Sequence, residues 1–173
     1  MTDRTPWDAM DDKFHEECGV VGIWNSVDAA ALTALGLHAL QHRGQEAAGI
    51  VSLDEKGLFH AHRGRGLVGE NFGDAKVIAA LPGRAAIGHN RYATTGETAL
   101  RNVQPLYADF EFGGFAVAHN GNLTNAYALR RALVRRGCLF QSTTDSEVFV
   151  HLVAISLYST VVDRLIDALK QVQ

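Results

Sequence analysis

Cysteine is scarce in this chain. Only Cys18 and Cys138 occur, far apart and without a second pair. That excludes a tetrahedral four-cysteine zinc site and argues against a disulfide framework. No apolar run approaches the roughly 18 residues that a membrane span needs. The first residues lack the basic start and apolar stretch of a secretory signal, so the expected location is cytoplasmic, with no membrane partner. Charge of one sign is also lacking. The formal net charge of −3 is too small to suggest a nucleic-acid partner. No internal repeat or low-complexity tract breaks the chain. What remains has the balance of one soluble globular domain, with 47% apolar and 20% charged residues among 173.

The acidity is concentrated at one end. Residues 1–17 hold six acids and two bases, against 13 acids and 14 bases in the rest. Nothing in this leader is patterned to pack, and it reads either as a solvated tail or as a removable segment. From Cys18 onward the chain changes character, and residues 19–24 read as a buried strand. Asp28 is placed to cap a helix reaching about His42, with Leu32, Leu35 and Ala39 on its apolar face and Gly44 as its stop. Residues 47–53 and 58–62 read as strands joined by the turn 54–57, and the glycine-rich stretch 64–69 as a loop. A helix is expected from Asp74 to Leu81, and strands over 85–90 and 112–119. Three helices follow. The first is capped by Thr124 or Asn125 and ends at Gly137, with Ala126, Leu129 and Leu133 opposite a solvated face of arginines that includes Arg130. The second opens on a capping box at Thr144-Asp145-Ser146-Glu147. The third covers about 160–172, with Val162, Leu165, Ile166 and Leu169 on one stripe.

Cys18 stands at the seam between leader and first strand. Such a cysteine is either a core residue or a nucleophile. Cutting the leader away would put its thiol and a free α-amine, with a pKa of roughly 7.7 to 8.0, on one residue. His119-Asn120-Gly121-Asn122 is a turn signal in its own right, because Asn-Gly favours positive φ. It is also a place where an amide side chain and a backbone N–H could meet an oxyanion. Arg91, after a strand and before a hydroxyl-rich loop containing Thr94, reads by itself as a solvated arginine. Asp145 in a first helical turn is favoured by the helix dipole whatever else it does. His42, His89 and His119 lie in separate segments without metal-ligand spacing, so no metal site is expected.

Five ordered stretches carry a resemblance: Cys18-Gly19-Val20-Val21-Gly22, Leu40-Gln41-His42-Arg43-Gly44-Gln45-Glu46, Gly88-His89-Asn90-Arg91-Tyr92-Ala93-Thr94-Thr95-Gly96, His119-Asn120-Gly121-Asn122-Leu123 and Thr143-Thr144-Asp145-Ser146-Glu147. Together they resemble the N-terminal-nucleophile glutaminase domain of the amidophosphoribosyltransferase family. The stretch around Gln41–Glu46 looks like this family rather than the glucosamine-phosphate or asparagine synthetases.

The resemblance implies an α+β fold, a four-layer αββα sandwich of the N-terminal-nucleophile hydrolase type, incomplete at its C-terminus. It implies a leader at 1–17, removed at Glu17–Cys18, and a glutaminase domain at 18–173. Cys18, Asn120 and Gly121 would be catalytic, and Arg91, Thr94, Asp145, Arg43 and Gly44 would bind substrate. Glutamine would be hydrolysed and its ammonia passed to phosphoribosyl pyrophosphate, giving 5-phosphoribosylamine. The phosphoribosyltransferase domain, Mg2+ and any iron–sulfur cluster would belong to a C-terminal part outside these residues, with no cofactor in this chain. The full-length form would be a homo-oligomer. Two other readings fit the same residues: an inactive fragment that binds glutamine or a partner, and a glutaminase serving another ammonia acceptor.

Overall fold

A computed structural model describes residues 18–92 and 99–173. The chain begins with strand β1 (Gly19–Trp24) and helix α1 (Ala29–Ala39), followed by a 3-10 turn at Gln41–Arg43. Strands β2 (Ala47–Leu53) and β3 (Phe59–Arg65) lead to the short helices α2 (Val68–Phe72) and α3 (Ala75–Ala79), then to β4 (Ala85–Arg91). A second 3-10 turn, Leu100–Asn102, precedes strands β5 (Leu106–Phe110) and β6 (Gly113–Val117). Helices α4 (Ala126–Arg135), α5 (Ser146–Ile155) and α6 (Val161–Leu169) complete it.

Strands β1, β4, β2 and β3 form a sheet in that order, every neighbouring pair antiparallel. Helix α1 covers one face. The side it buries is Ala30, Thr33, Ala34 and Leu37, not the expected stripe, and Leu32 and Leu35 stay exposed. The reason is proximity. A Cβ at Gly88 of β4 would lie 2.6 Å from Thr33 Cγ2 and 2.7 Å from Leu37 Cδ1. A helix lying this close to a sheet needs small residues on its inner face, and larger apolar side chains are left outside. The buried Thr33 hydroxyl donates to Ala29 O at 2.8 Å, so its polar atom is not left unpaired.

The β5–β6 hairpin stacks on the opposite face, where Gly114 of β6 packs directly on the Phe59 ring of β3 and Tyr107 of β5 meets Phe59 and Arg63. Beyond it lie α4, α5 and α6. Leu133, Val148, Leu152, Val153 and Ala168 form their core, with Phe110, Phe112 and Phe115 from the hairpin packed against it. Helix, sheet, hairpin and helices thus make the four expected layers.

Several local expectations shift. Strand β5 falls where none was assigned, although Leu106-Tyr107-Ala108-Asp109-Phe110 alternates in burial as a strand should. The glycine-rich stretch is not a loop throughout: β3 runs to Arg65 and α2 starts at Val68. Glu70 holds that helix start by accepting from Leu67 N–H at 2.8 Å, and Val68 and Phe72 are buried beneath it. In α6, Ala168 is buried and Leu165 packs inward, while Val162, Ile166 and Leu169 remain exposed.

The capping box at 144–147 does not form. Asp145 caps α5, and the Glu147 carboxylate instead accepts from Gln141 N–H (2.7 Å), Ser142 N–H (2.8 Å) and the Ser142 hydroxyl (2.7 Å). Arg130 is not solvated either. It lies 4.0 Å over the Phe140 ring and donates to the Ser142 and Thr144 carbonyls, bracing the loop that leads into α5.

Candidate active site

The site is assembled at one end of β4. Register pairs Gly19 with Asn90, which sets Cys18 beside Tyr92. The Cys18 thiol accepts from Tyr92 N–H at 3.3 Å and approaches Tyr92 O at 3.6 Å. Asn90 is fully buried. Its Oδ1 accepts from Gly19 N–H at 2.6 Å, and its Nδ2 donates to Leu40 O at 2.7 Å. The strand carrying the thiol is thereby tied to the C-terminal end of α1.

Arg43 follows from that helix end, and its Nε donates to Cys18 O at 3.4 Å. Gly44 closes the 3-10 turn rather than α1, which has already ended at Ala39. Its more telling property is contact: a Cβ there would lie 2.7 Å from the Arg91 carbonyl carbon. Only glycine lets this turn lie flat against β4, so the second and third motifs meet at the backbone.

Arg91 is half-buried and donates to Asn102 O at 3.0 Å. Its Nε is buried and makes no hydrogen bond among the described residues. Beside it His89 is buried, and burial together with the Arg91 charge pushes its pKa down to about 4. The ring is therefore neutral at physiological pH. Thr94 and the leader 1–17 lie outside the described residues.

Asn102 passes the network on. Its side chain donates to Thr143 Oγ1 at 2.8 Å and accepts from Thr143 N–H at 3.0 Å, two residues before Asp145. The Asp145 carboxylate caps α5 through Ser146 N–H at 2.8 Å and accepts from Leu123 N–H at 2.7 Å. That second contact binds the loop after β6 to the helix start. Asn120 in this loop is exposed. Gly121 has φ of +151°, and a Cβ there would lie 2.8 Å from His119 Nε2, so the Asn-Gly pair makes a positive-φ bend at the glycine rather than a hydrogen-bonded turn.

The structure thus joins Cys18, Arg43, Gly44 and Arg91 in one set of contacts, and Asp145 with the 119–123 loop in another, with Asn102 between them. Asn90, Asn102, Gln104 and Ser146 were not singled out from sequence. The available signal was Asn102-Val103-Gln104, two amides around a fully buried valine. Among the described residues no group of three or more His, Cys, Asp or Glu is placed to hold a metal ion, and Cys18 and Cys138 are separate free thiols.

A cysteine heading the first strand of a layered αββα sandwich, with Arg43 on its carbonyl and Tyr92 on its thiol, defines the N-terminal-nucleophile hydrolase class. A glutamine amidotransferase domain model matches residues 89–167. The Rhizobium etli amidophosphoribosyltransferase is 58% identical over 94% of this chain, which covers 32% of that protein. The Lacticaseibacillus casei amidophosphoribosyltransferase is 49% identical over 91% of this chain, which covers 81% of that sequence. Among solved structures, the glutamine phosphoribosylpyrophosphate amidotransferase of B. subtilis complexed with ADP and GMP matches with a TM-score of 0.82 and 42% identity, over 89% of this chain and 33% of that one. The chain belongs to the amidophosphoribosyltransferase family. It spans about a third of the length of the Rhizobium relative.

Proposed function

We propose that this chain hydrolyses the side-chain amide of glutamine at Cys18, as the ammonia-producing half of an amidophosphoribosyltransferase. The observation that carries the reading is the contact set that puts Cys18 against Tyr92 and Arg43, one residue from the half-buried Arg91. Removal of residues 1–17 would expose the α-amine of Cys18, a base on the same residue as the nucleophile. The thiol gives its proton to that amine as sulfur attacks the amide carbon. The amine returns the proton to the departing nitrogen, ammonia leaves, and a glutamyl thioester remains. Water activated by the same amine adds to the thioester, the C–S bond breaks, and glutamate is released with the thiol restored.

Asn120 Nδ2 and Gly121 N–H are assigned to the oxyanion. The exposed Asn120 side chain and the open backbone at Gly121 leave both donors available. Arg91, with Thr94 beside it in sequence, takes the substrate α-carboxylate, a task suited to a planar guanidinium. Asp145 takes the ammonium. Arg43 and Gly44 border the site. Grips on both α-groups favour a free amino acid over a peptide, and the length from those grips to Cys18 selects glutamine.

In the longer protein the ammonia would pass to phosphoribosyl pyrophosphate on a phosphoribosyltransferase domain and give 5-phosphoribosylamine, with the whole acting as a homo-oligomer. The names and lengths of the relatives support the transfer to phosphoribosyl pyrophosphate. No helix among the described residues is long and apolar enough to cross a membrane.

Cys18→Ala tests the assignment. Ammonia release from glutamine should fall below detection, while calorimetry still registers glutamine binding. Hydrolysis persisting in this variant would remove Cys18 from the chemistry.

A further inference from the structure

We infer that Gln104 is a positioning residue for this hydrolysis, holding the oxyanion loop and the ammonium grip in one fixed relation. The inference rests on the reading of the site given above. Gln104 is 6% exposed. Its Oε1 accepts from His119 N–H at 2.7 Å, and its Nε2 donates to Ser146 Oγ at 3.2 Å and to His119 O at 3.4 Å. One side-chain amide therefore spans the residue immediately before Asn120-Gly121 and the residue immediately after Asp145.

The main chain of Gln104 is pinned from the other side. Gly49 of β2 lies so near that a Cβ there would be 2.2 Å from Gln104 O. Gly49 is the register partner of His89, two residues before Arg91 on the adjacent strand. Asn102, two residues earlier in the same segment, receives Arg91. Gln104 thus stands where the half of the site carrying Cys18 and Arg91 meets the half carrying Asn120, Gly121 and Asp145.

This location has a catalytic consequence. Oxyanion donors act only when they lie at hydrogen-bond distance from the oxygen as charge develops on it. A misplacement of about 1 Å is worth roughly a hundredfold in rate. Both N–H groups and the oxygen of the Gln104 amide are engaged, so in its native setting it admits one arrangement of the three segments.

The test compares Gln104→Met, which keeps the length and loses every hydrogen bond, with Gln104→Glu, which keeps the acceptor for His119 N–H. Three quantities are read: kcat and KM for glutamine, and the rate at which iodoacetamide alkylates Cys18, located by peptide mapping. Alkylation needs neither the oxyanion donors nor the ammonium grip. In Gln104→Met, kcat should drop by about ten- to a hundredfold and KM should rise, with the alkylation rate close to wild type. Gln104→Glu should fall between the two. Wild-type kcat in either variant overturns the inference, as does a parallel fall of kcat and alkylation, which a loosened fold would produce. If Gln104→Met does not fold, the kcat of Gln104→Glu decides alone. A wild-type chain that releases no ammonia from glutamine refutes the hydrolysis itself, and the inference with it, before any substitution is compared.

Discussion

His89 is a titratable residue held away from water. Its ring is buried next to Arg91, and its pKa falls from the usual 6.5 to about 4. Between those values the unfolded chain binds a proton that the folded chain refuses, so stability is full above pH 6.5 and declines as pH drops toward 4. The whole loss amounts to about 3 kcal/mol. Urea unfolding of wild type and His89→Gln at about pH 7 and about pH 5 checks this. Wild type should lose more stability on acidification than the variant, and equal losses would show that His89 is not the source. At this scale the sequence was informative about identities and silent about surroundings. Cys18, Arg91 and Asp145 stood out by their places in motifs. Arg130 was misjudged, because a helical arginine looks solvated until Phe140 and the 142–144 carbonyls are brought over it by the fold.

At the scale of elements, the close approach of α1 to the sheet is the feature most open to test. Gly88→Ala adds one carbon where Thr33 and Leu37 already fill the space. Overpacking of this kind typically costs roughly 1–3 kcal/mol. The melting temperature should fall, and glutamine hydrolysis at low temperature should be affected less, since the new carbon meets α1 and not the site. An unchanged melting point would mean that the helix withdraws freely. The periodicities of β1 and α4 were legible because one side of each element packs and the other does not, whereas β2 is buried on both faces and read as a strand by its short apolar run. The face of α1 was not legible, since its inner surface is chosen by room rather than by hydrophobicity. The capping box failed for a similar reason: Glu147 found three donors in the preceding loop, outside the reach of a local rule.

At the scale of the whole molecule, the two halves of the site come from different layers. The α1-backed sheet brings Cys18, Arg43 and Arg91, while the hairpin and α5 bring Asn120, Gly121 and Asp145. Motif order along the chain carried the candidate list, but not the Asn102–Gln104 segment that joins the layers, because buried amides leave no periodic trace. The central claim is that Cys18, freed of its leader, forms a glutamyl thioester. It is tested most directly by the intact mass and peptide map of the chain acid-quenched during glutamine turnover. The expected species is a chain that begins at Cys18 and carries one glutamyl group on that residue. A chain that still bears residues 1–17 while releasing ammonia, or a glutamyl group mapped elsewhere, would contradict it.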